Sequence, residues 1–175
     1  VADPSVIHQD VKPANILLGA APEADNNGVR VVAKLADFGI SRVVPDLTAT
    51  AAKSYVQTQN AAGTPLYMPM ELHRSGRVSV KVDSYAFGVV LLELLTGRPP
   101  RNEETMEPLI ESVYVPMQDP KRHMSDLVDT RAGAWNAKAW RKLVAIAWRC
   151  LQERVADRAH TAVHHVGRAD AVKAG

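Results

Sequence analysis

Early in the chain an acid, an amine and an amide fall within six residues, in His8-Gln9-Asp10-Val11-Lys12-Pro13-Ala14-Asn15. Those side-chain types suit phosphoryl transfer. A carboxylate at Asp10 can orient a hydroxyl nucleophile and accept its proton. An ammonium at Lys12 can neutralise charge on a moving phosphate, and the amide oxygen of Asn15 can hold a divalent cation. By residue type alone, the same block is also a plain polar turn ahead of a strand. A second acid stands in Ala36-Asp37-Phe38-Gly39, at the end of a hydrophobic run. Brought near Asn15 by a hairpin, Asp37 would complete a hard-oxygen metal site. Taken alone, an Asp-x-Gly triplet is a common strand-ending turn.

Short elements must bring these residues together. Residues 16–18 form one apolar run, and Val31, Val32 and Leu35 form another. Between them, Asn26-Asn27-Gly28 carries an Asn-Gly pair that favours the left-handed conformations of a hairpin turn. Two short strands joined by a long hairpin loop are expected. Residues 36–67 show no sustained period of 2 or 3.6 and read as a long irregular segment, of the kind that is functional or disordered. Residues 81–96 are apolar on nearly every face and end at Gly97 with Pro99-Pro100 behind, a helix stop. Such a helix is expected to be buried on all sides, as the pillar of the core. The spacing of Trp140, Leu143, Val144, Ala147, Trp148 and Leu151 predicts an amphipathic helix over 137–153, whose stripe is core packing. A weaker signal places another helix at 103–117, and the end from 167 onward reads as frayed.

Composition sets outer limits. A chain of 175 residues suits one domain, and 46% hydrophobic with 23% charged residues is ordinary globular composition. A net charge of +2 gives no broad basic field, so nucleic acid is not expected as a partner. The single cysteine, Cys150, excludes an internal disulfide and a CxxC zinc site. His164-His165 lacks acidic or thiol neighbours at ligand spacing and reads as a solvated pair. The most apolar run, 86–92, is far short of the roughly 20 residues of a membrane-spanning helix. With no initiator Met and no signal sequence, the chain is expected to be a piece of a longer polypeptide.

The block around Asp10 resembles the catalytic loop of eukaryotic protein kinases, His-Arg-Asp-x-Lys-Pro-x-Asn, and residues 35–42 resemble their Asp-Phe-Gly segment. Gly63-Thr64-Pro65-Leu66-Tyr67-Met68-Pro69-Met70-Glu71 is similar to the end of the activation segment. Residues 83–100 look like the buried central helix and its exit, and Arg149-Cys150-Leu151 through Asp157-Arg158 resemble the closing helices. The style, including Leu127-Val128-Asp129 and the ending at Cys150-Leu151, is nearest to plant receptor-like kinases. Lys12 resembles the Ser/Thr-specific pattern.

The resemblance implies a mainly α fold, the C-terminal lobe of the kinase fold over 1–168, with a short β-hairpin by the catalytic loop and a frayed end at 169–175. It implies a serine/threonine protein kinase using ATP and Mg²⁺ on a protein substrate. Asp10 would be the catalytic base and Lys12 the γ-phosphate contact. Asn15 and Asp37 would bind Mg²⁺, and Leu17 would lie beneath the adenine. Thr64 would shape the substrate loop and steady Asp10, while Asp83 would hold the catalytic-loop backbone. Glu71 would pair with Arg158, and His8 and Phe38 would pack in the column linking the lobes. The glycine-rich loop and strand lysine that hold ATP are not among these residues. A nucleotide-covering N-terminal lobe is therefore expected as a further part of the parent, and this piece alone is expected to be inactive. The resemblance implies a location on the cytoplasmic side, with any membrane tether supplied by other parts.

Three positions depart from the pattern. Gln9 replaces the arginine that pairs with a phosphorylated activation loop, so modification at Thr48, Thr50, Ser54 or Thr58 is not expected to switch activity by that route. Pro69 stands one place later than the usual proline, and since Pro restricts the residue before it, the local path is expected to differ. Ala159 replaces the proline usual after Arg158. These departures, with the absent N-lobe, motivate the alternative of a pseudokinase or interaction scaffold.

Overall fold

A computed structural model describes residues 5–20, 31–44, 55–58, 62–118, 124–133 and 135–159. The expected Asn26-Asn27-Gly28 turn, the positions Thr48, Thr50 and Ser54, the pair His164-His165 and the end at 169–175 lie outside them.

The two apolar runs pair as antiparallel strands β2 (Ile16–Ala20) and β3 (Val31–Leu35), with Ile16 opposite Leu35 and Ala20 opposite Val31. This register sets the site. The ladder continues past Ile16 and Leu35 through the Ala36 N–H, which donates to the Asn15 carbonyl at 2.8 Å. Asn15 and Asp37 therefore emerge from the same end of the hairpin.

Two further ribbons carried no sequence signal. β1 (Ser5–Ile7) pairs with β4 (Arg42–Val44), and β5 (Val56–Gln57) pairs with β6 (Arg77–Val78). Strands of two or three residues are too short for alternation to register, and their partners lie far away in sequence. The described residues thus hold three ribbons rather than one hairpin, and the described part of 36–67 includes the short strands β4 and β5.

Helix α1 (Met70–Ser75) follows Pro69, whose extended backbone (φ −74°, ψ 153°) serves as its N-cap. Helix α2 (Val80–Thr96) starts at Ser79, whose side chain accepts from the Lys81 N–H, and ends at Gly97 in a left-handed conformation (φ +63°). A Cβ on Gly97 would lie 2.1 Å from the Asp129 carboxylate, so the stop requires glycine twice over. Helix α3 (Leu109–Gln118) and helix α4 (Ala137–Cys150) pack against α2. Val89, Leu91, Leu92, Leu109, Val113 and Ala147 fill the space between the three. At Gly88 the approach is closest: a Cβ there would sit 2.8 Å from Leu151 Cγ and 2.9 Å from Cys150 Cβ.

Three helix expectations are corrected. α2 is not buried on all sides, because α3 and α4 cover only part of its circumference and Leu94 stays 60% exposed. α3 begins at Leu109 rather than 103, because Asn102 closes a tight loop, its side chain accepting from the N–H groups of Glu104 and Thr105. α4 stops at Cys150 rather than 153, where the Leu151 N–H bonds back to Ala147 and Trp148 and the chain turns toward Glu71. Among the described residues no helix is long and apolar enough to cross a membrane.

Candidate active site

The loop carrying Asp10 is anchored from beneath. Val11 is buried against Ala86 and Val90 of α2, and a 3-10 turn at Pro13–Asn15 starts from Lys12. Asp83, near the start of α2, accepts the backbone N–H groups of His8 at 2.7 Å and of Gln9 at 2.8 Å. Burial pushes the Asp83 carboxyl above its ordinary range, with those two amides pulling the other way. Gln9 adopts a left-handed backbone (φ +71°), and its side-chain amide donates to the Ile40 carbonyl. Its own carbonyl leaves no room opposite: a Cβ on Gly63 would lie 2.4 Å away. A glycine at 63 therefore lets the segment bearing Thr64 close onto the loop.

That closure builds a four-residue cluster. Asp10 Oδ1 accepts from the Thr64 hydroxyl at 2.6 Å and from the Thr64 N–H at 3.0 Å. Asp10 Oδ2 pairs with Lys12 Nζ at 2.8 Å and accepts from Asn15 Nδ2 at 3.1 Å. Lys12 Nζ also donates to Thr64 Oγ1 at 2.9 Å, which closes the ring. Burial alone would raise the Asp10 carboxyl; hydrogen bonds from Lys12, Thr64 and Asn15 and the Lys12 charge more than offset it, holding the group below the usual carboxylate range. The Asp10 side chain remains 13% exposed, so the charged group can still be reached.

The Asn15 amide nitrogen donates to both the Asp10 carbonyl (2.8 Å) and its carboxylate. Both partners are acceptors, which fixes the amide orientation and leaves the Asn15 Oδ1 for a cation. Asp37 is exposed at the end of the hairpin with φ +63°, a left-handed conformation that aspartate tolerates. Its carboxylate accepts only weakly from the Gly39 N–H, at 3.3 Å. A carboxylate and an amide oxygen suit Mg²⁺, which takes few protein ligands and completes its shell with water and phosphate. Among the described residues no group of three His, Cys, Asp or Glu side chains gathers into a self-sufficient metal cage.

The other candidate residues sit around this centre. Leu17, on β2, is 56% exposed. His8 is fully buried, with Nε2 2.9 Å from the Ala36 carbonyl and its ring edge-on to Phe38 at 4.7 Å. Phe38 itself is 45% exposed. Glu71 makes a bidentate pair with the buried Arg158, whose guanidinium also donates to the carbonyls of Gln152 and Lys81. The Arg158 guanidinium lies 5.1 Å from the Tyr85 ring.

One contact had gone unread in the sequence. The Tyr67 hydroxyl donates to Glu93 Oε2 at 3.0 Å, and burial pushes both groups upward. Its signal was available, since Glu93 is the only acid in the apolar stretch 84–96.

The sequence is similar to those of known proteins. The family described as protein kinase domain matches residues 3–166. U-box domain-containing protein 70 of Oryza sativa subsp. japonica is 36% identical over 147 residues, covering 84% of this chain and 16% of the relative. A probable leucine-rich repeat receptor-like protein kinase of Arabidopsis thaliana is 36% identical over 163 residues, covering 90% and 15%. The Arabidopsis thaliana protein named "Probable serine/threonine-protein kinase PBL26" is 35% identical over 163 residues, covering 90% and 35%. The chain spans between 15% and 35% of the length of these three relatives. With plant receptor-like kinases among its relatives and a family match over nearly its whole length, the chain belongs to the protein kinase domain family.

Proposed function

We propose that residues 1–168 are the C-terminal lobe of a serine/threonine protein kinase, with 169–175 a frayed end, and that the parent transfers the γ-phosphate of ATP to a protein hydroxyl. The observation carrying this reading is the ring of Lys12, Thr64 and Asn15 around the Asp10 carboxylate, which is still reachable.

Asp10 acts as the base: its carboxylate orients the substrate hydroxyl and takes the proton. A carboxyl lowered below its ordinary range is adequate because in a loose transition state the hydroxyl gives up its proton late. Lys12, held 2.8 Å from Asp10, offsets charge on the transferring phosphoryl group. Thr64 bridges Asp10 and Lys12, tying the substrate loop to the base. Asn15 Oδ1 and the Asp37 carboxylate would hold Mg²⁺, which would supply charge neutralisation at the phosphates. Leu17 would lie under the adenine. Asp83 fixes the loop backbone, Glu71 and Arg158 tie α1 to the chain after α4, and His8 with Phe38 joins the Asp37 turn to the core.

An N-terminal lobe carrying a glycine-rich loop and a strand lysine is the required partner within the parent. Exposed apolar side chains stand on both faces of the β2–β3 hairpin, Leu17 on one and Leu18 and Val31 on the other, and the lobe would cover the face carrying Leu17. The parent acts on the cytoplasmic side, with any membrane tether outside this chain. Complementing the chain with such a lobe should give Mg²⁺-dependent transfer to a Ser/Thr peptide, and the 175-residue chain alone should give none. Robust transfer by the chain alone would refute its dependence on the lobe. Silence in the complemented form would favour a scaffold without phosphotransfer, a reading supported by the uncharged Gln9, whose amide is committed to the Ile40 carbonyl.

A further inference from the structure

Helix α4 carries a face that the core does not use. At 100° per residue, Lys138, Arg141, Lys142, Ala145 and Arg149 fall within an arc of about 100°, opposite the inward-facing Ala147. All five are exposed. The stripe runs about 16 Å along the helix. No acid occurs between residues 130 and 152, and none of the ion pairs among the described residues involves these four cations. Ile146, 44% exposed, stands at the edge of the stripe.

The loop before α3 is its electrostatic opposite. Glu103, Glu104 and Glu107 are exposed, and Met106, 58% exposed, stands among them. The loop is firmly shaped: Asn102 accepts from the N–H groups of Glu104 and Thr105, and its own N–H donates to the Glu107 carbonyl at 2.9 Å. It leads directly into α3, whose Tyr114 stacks on Trp148 of α4 at 5.1 Å. The acidic loop and the cationic stripe therefore belong to one side of the molecule, each with an exposed apolar residue in its field.

The geometry points to self-association through this side: the α4 cations of one copy receive Glu103, Glu104 and Glu107 of a second copy, with Met106 against Ile146. Because both patches share a side, a two-fold axis uses each contact twice and closes the pair. An anionic membrane is a poorer occupant. Ile146 is the one large apolar side chain of α4 left exposed, too little to insert, and the neighbouring glutamates would be repelled. The inference is independent of catalysis.

Sedimentation velocity of the 175-residue chain tests it. A monomer–dimer equilibrium is expected at about 0.1 M salt, weakening at least about tenfold at about 1 M, where the screening length falls from ~10 to ~3 Å. The triple variants K138E/R141E/K142E and E103K/E104K/E107K should each be monomeric, with unchanged circular dichroism, and should pair when mixed. A chain monomeric at low salt would overturn the proposal. So would association that survives in both variants or strengthens with salt, which would assign it to the apolar seat around Leu17. Binding of monomeric wild-type chain to phosphatidylserine vesicles, lost in K138E/R141E/K142E, would reassign the stripe to a lipid surface.

Discussion

Asp10 and Asp83 serve the same short stretch of backbone and are held in opposite ways. Asp83 lies almost wholly buried and is satisfied by two backbone amides, and it makes no ion pair among the described residues; burial raises it. Asp10 sits one residue beyond those amides, and is satisfied by side chains from Lys12, Asn15 and Thr64 that together lower it. The difference fits the roles proposed for the two carboxylates. A group that fixes backbone can be held by dipoles, since its only task is to accept hydrogen bonds. A group that must meet a charged reactant needs compensating charge and an open side. Under that proposal, surroundings alone divide two carboxylates of identical chemistry into a strut and a reactive group.

Removing the strut should give the larger stability effect. Asp83→Ala leaves the buried N–H groups of His8 and Gln9 without their partner, a loss of about 3 kcal/mol at about 1–3 kcal/mol per orphaned group. Denaturant unfolding measures it, and a loss no greater than that of an exposed substitution would erase the distinction. Thr64→Val should cost less, about 1 kcal/mol, because Asp10 keeps Lys12, Asn15 and the Thr64 backbone N–H. Its sharper signature is an upward movement of the Asp10 carboxyl, read by NMR titration; an unmoved carboxyl would remove the hydroxyl from the cluster's electrostatics.

The smallest effect is in the pH dependence. Asp10 is lowered in the folded state, so its contribution is present above the unfolded value of about 3.9 and is lost as pH falls through its folded value. Asp83 is raised, so its contribution favours folding at low pH and declines as pH rises from about 3.9 through its folded value. The stability gap between wild type and Asp10→Asn should therefore shrink below about pH 4, while that for Asp83→Asn should move the other way. Parallel curves for the two variants would break the comparison.

Much of the site was legible because it is local. Asp10, Lys12 and Asn15 lie within six residues, and the hairpin that carries Asp37 to them is announced by two apolar runs. Thr64 is 54 residues from Asp10, and only the resemblance to kinases tied the two together before the geometry. Helices α2 and α4 were readable from long periodic patterns with clear caps. The start of α3 was not, since helix-forming Glu103 and Glu104 are overruled by the Asn102 loop. The short ribbons escaped because pairings such as Val56 with Val78 depend on distant chain rather than on local pattern. The resemblance also supplied the tie from Asp83 to the loop backbone, but the burial of each aspartate and the contacts of Lys12 and Asn15 with Asp10 lay beyond the sequence, because they are properties of the packed chain.

The central claim is that Asp10 is the reactive carboxylate of a phosphoryl-transfer site. Its most direct test is the initial rate of phosphate transfer from ATP to a Ser/Thr peptide by a protein in which this chain is complemented by an N-terminal lobe, comparing wild type with Asp10→Asn. A fall of about 10²–10⁴-fold is predicted, with the melting transition displaced by no more than the loss of one partly exposed ion pair would cause, about 1 kcal/mol. Equal rates in the two proteins would contradict the account.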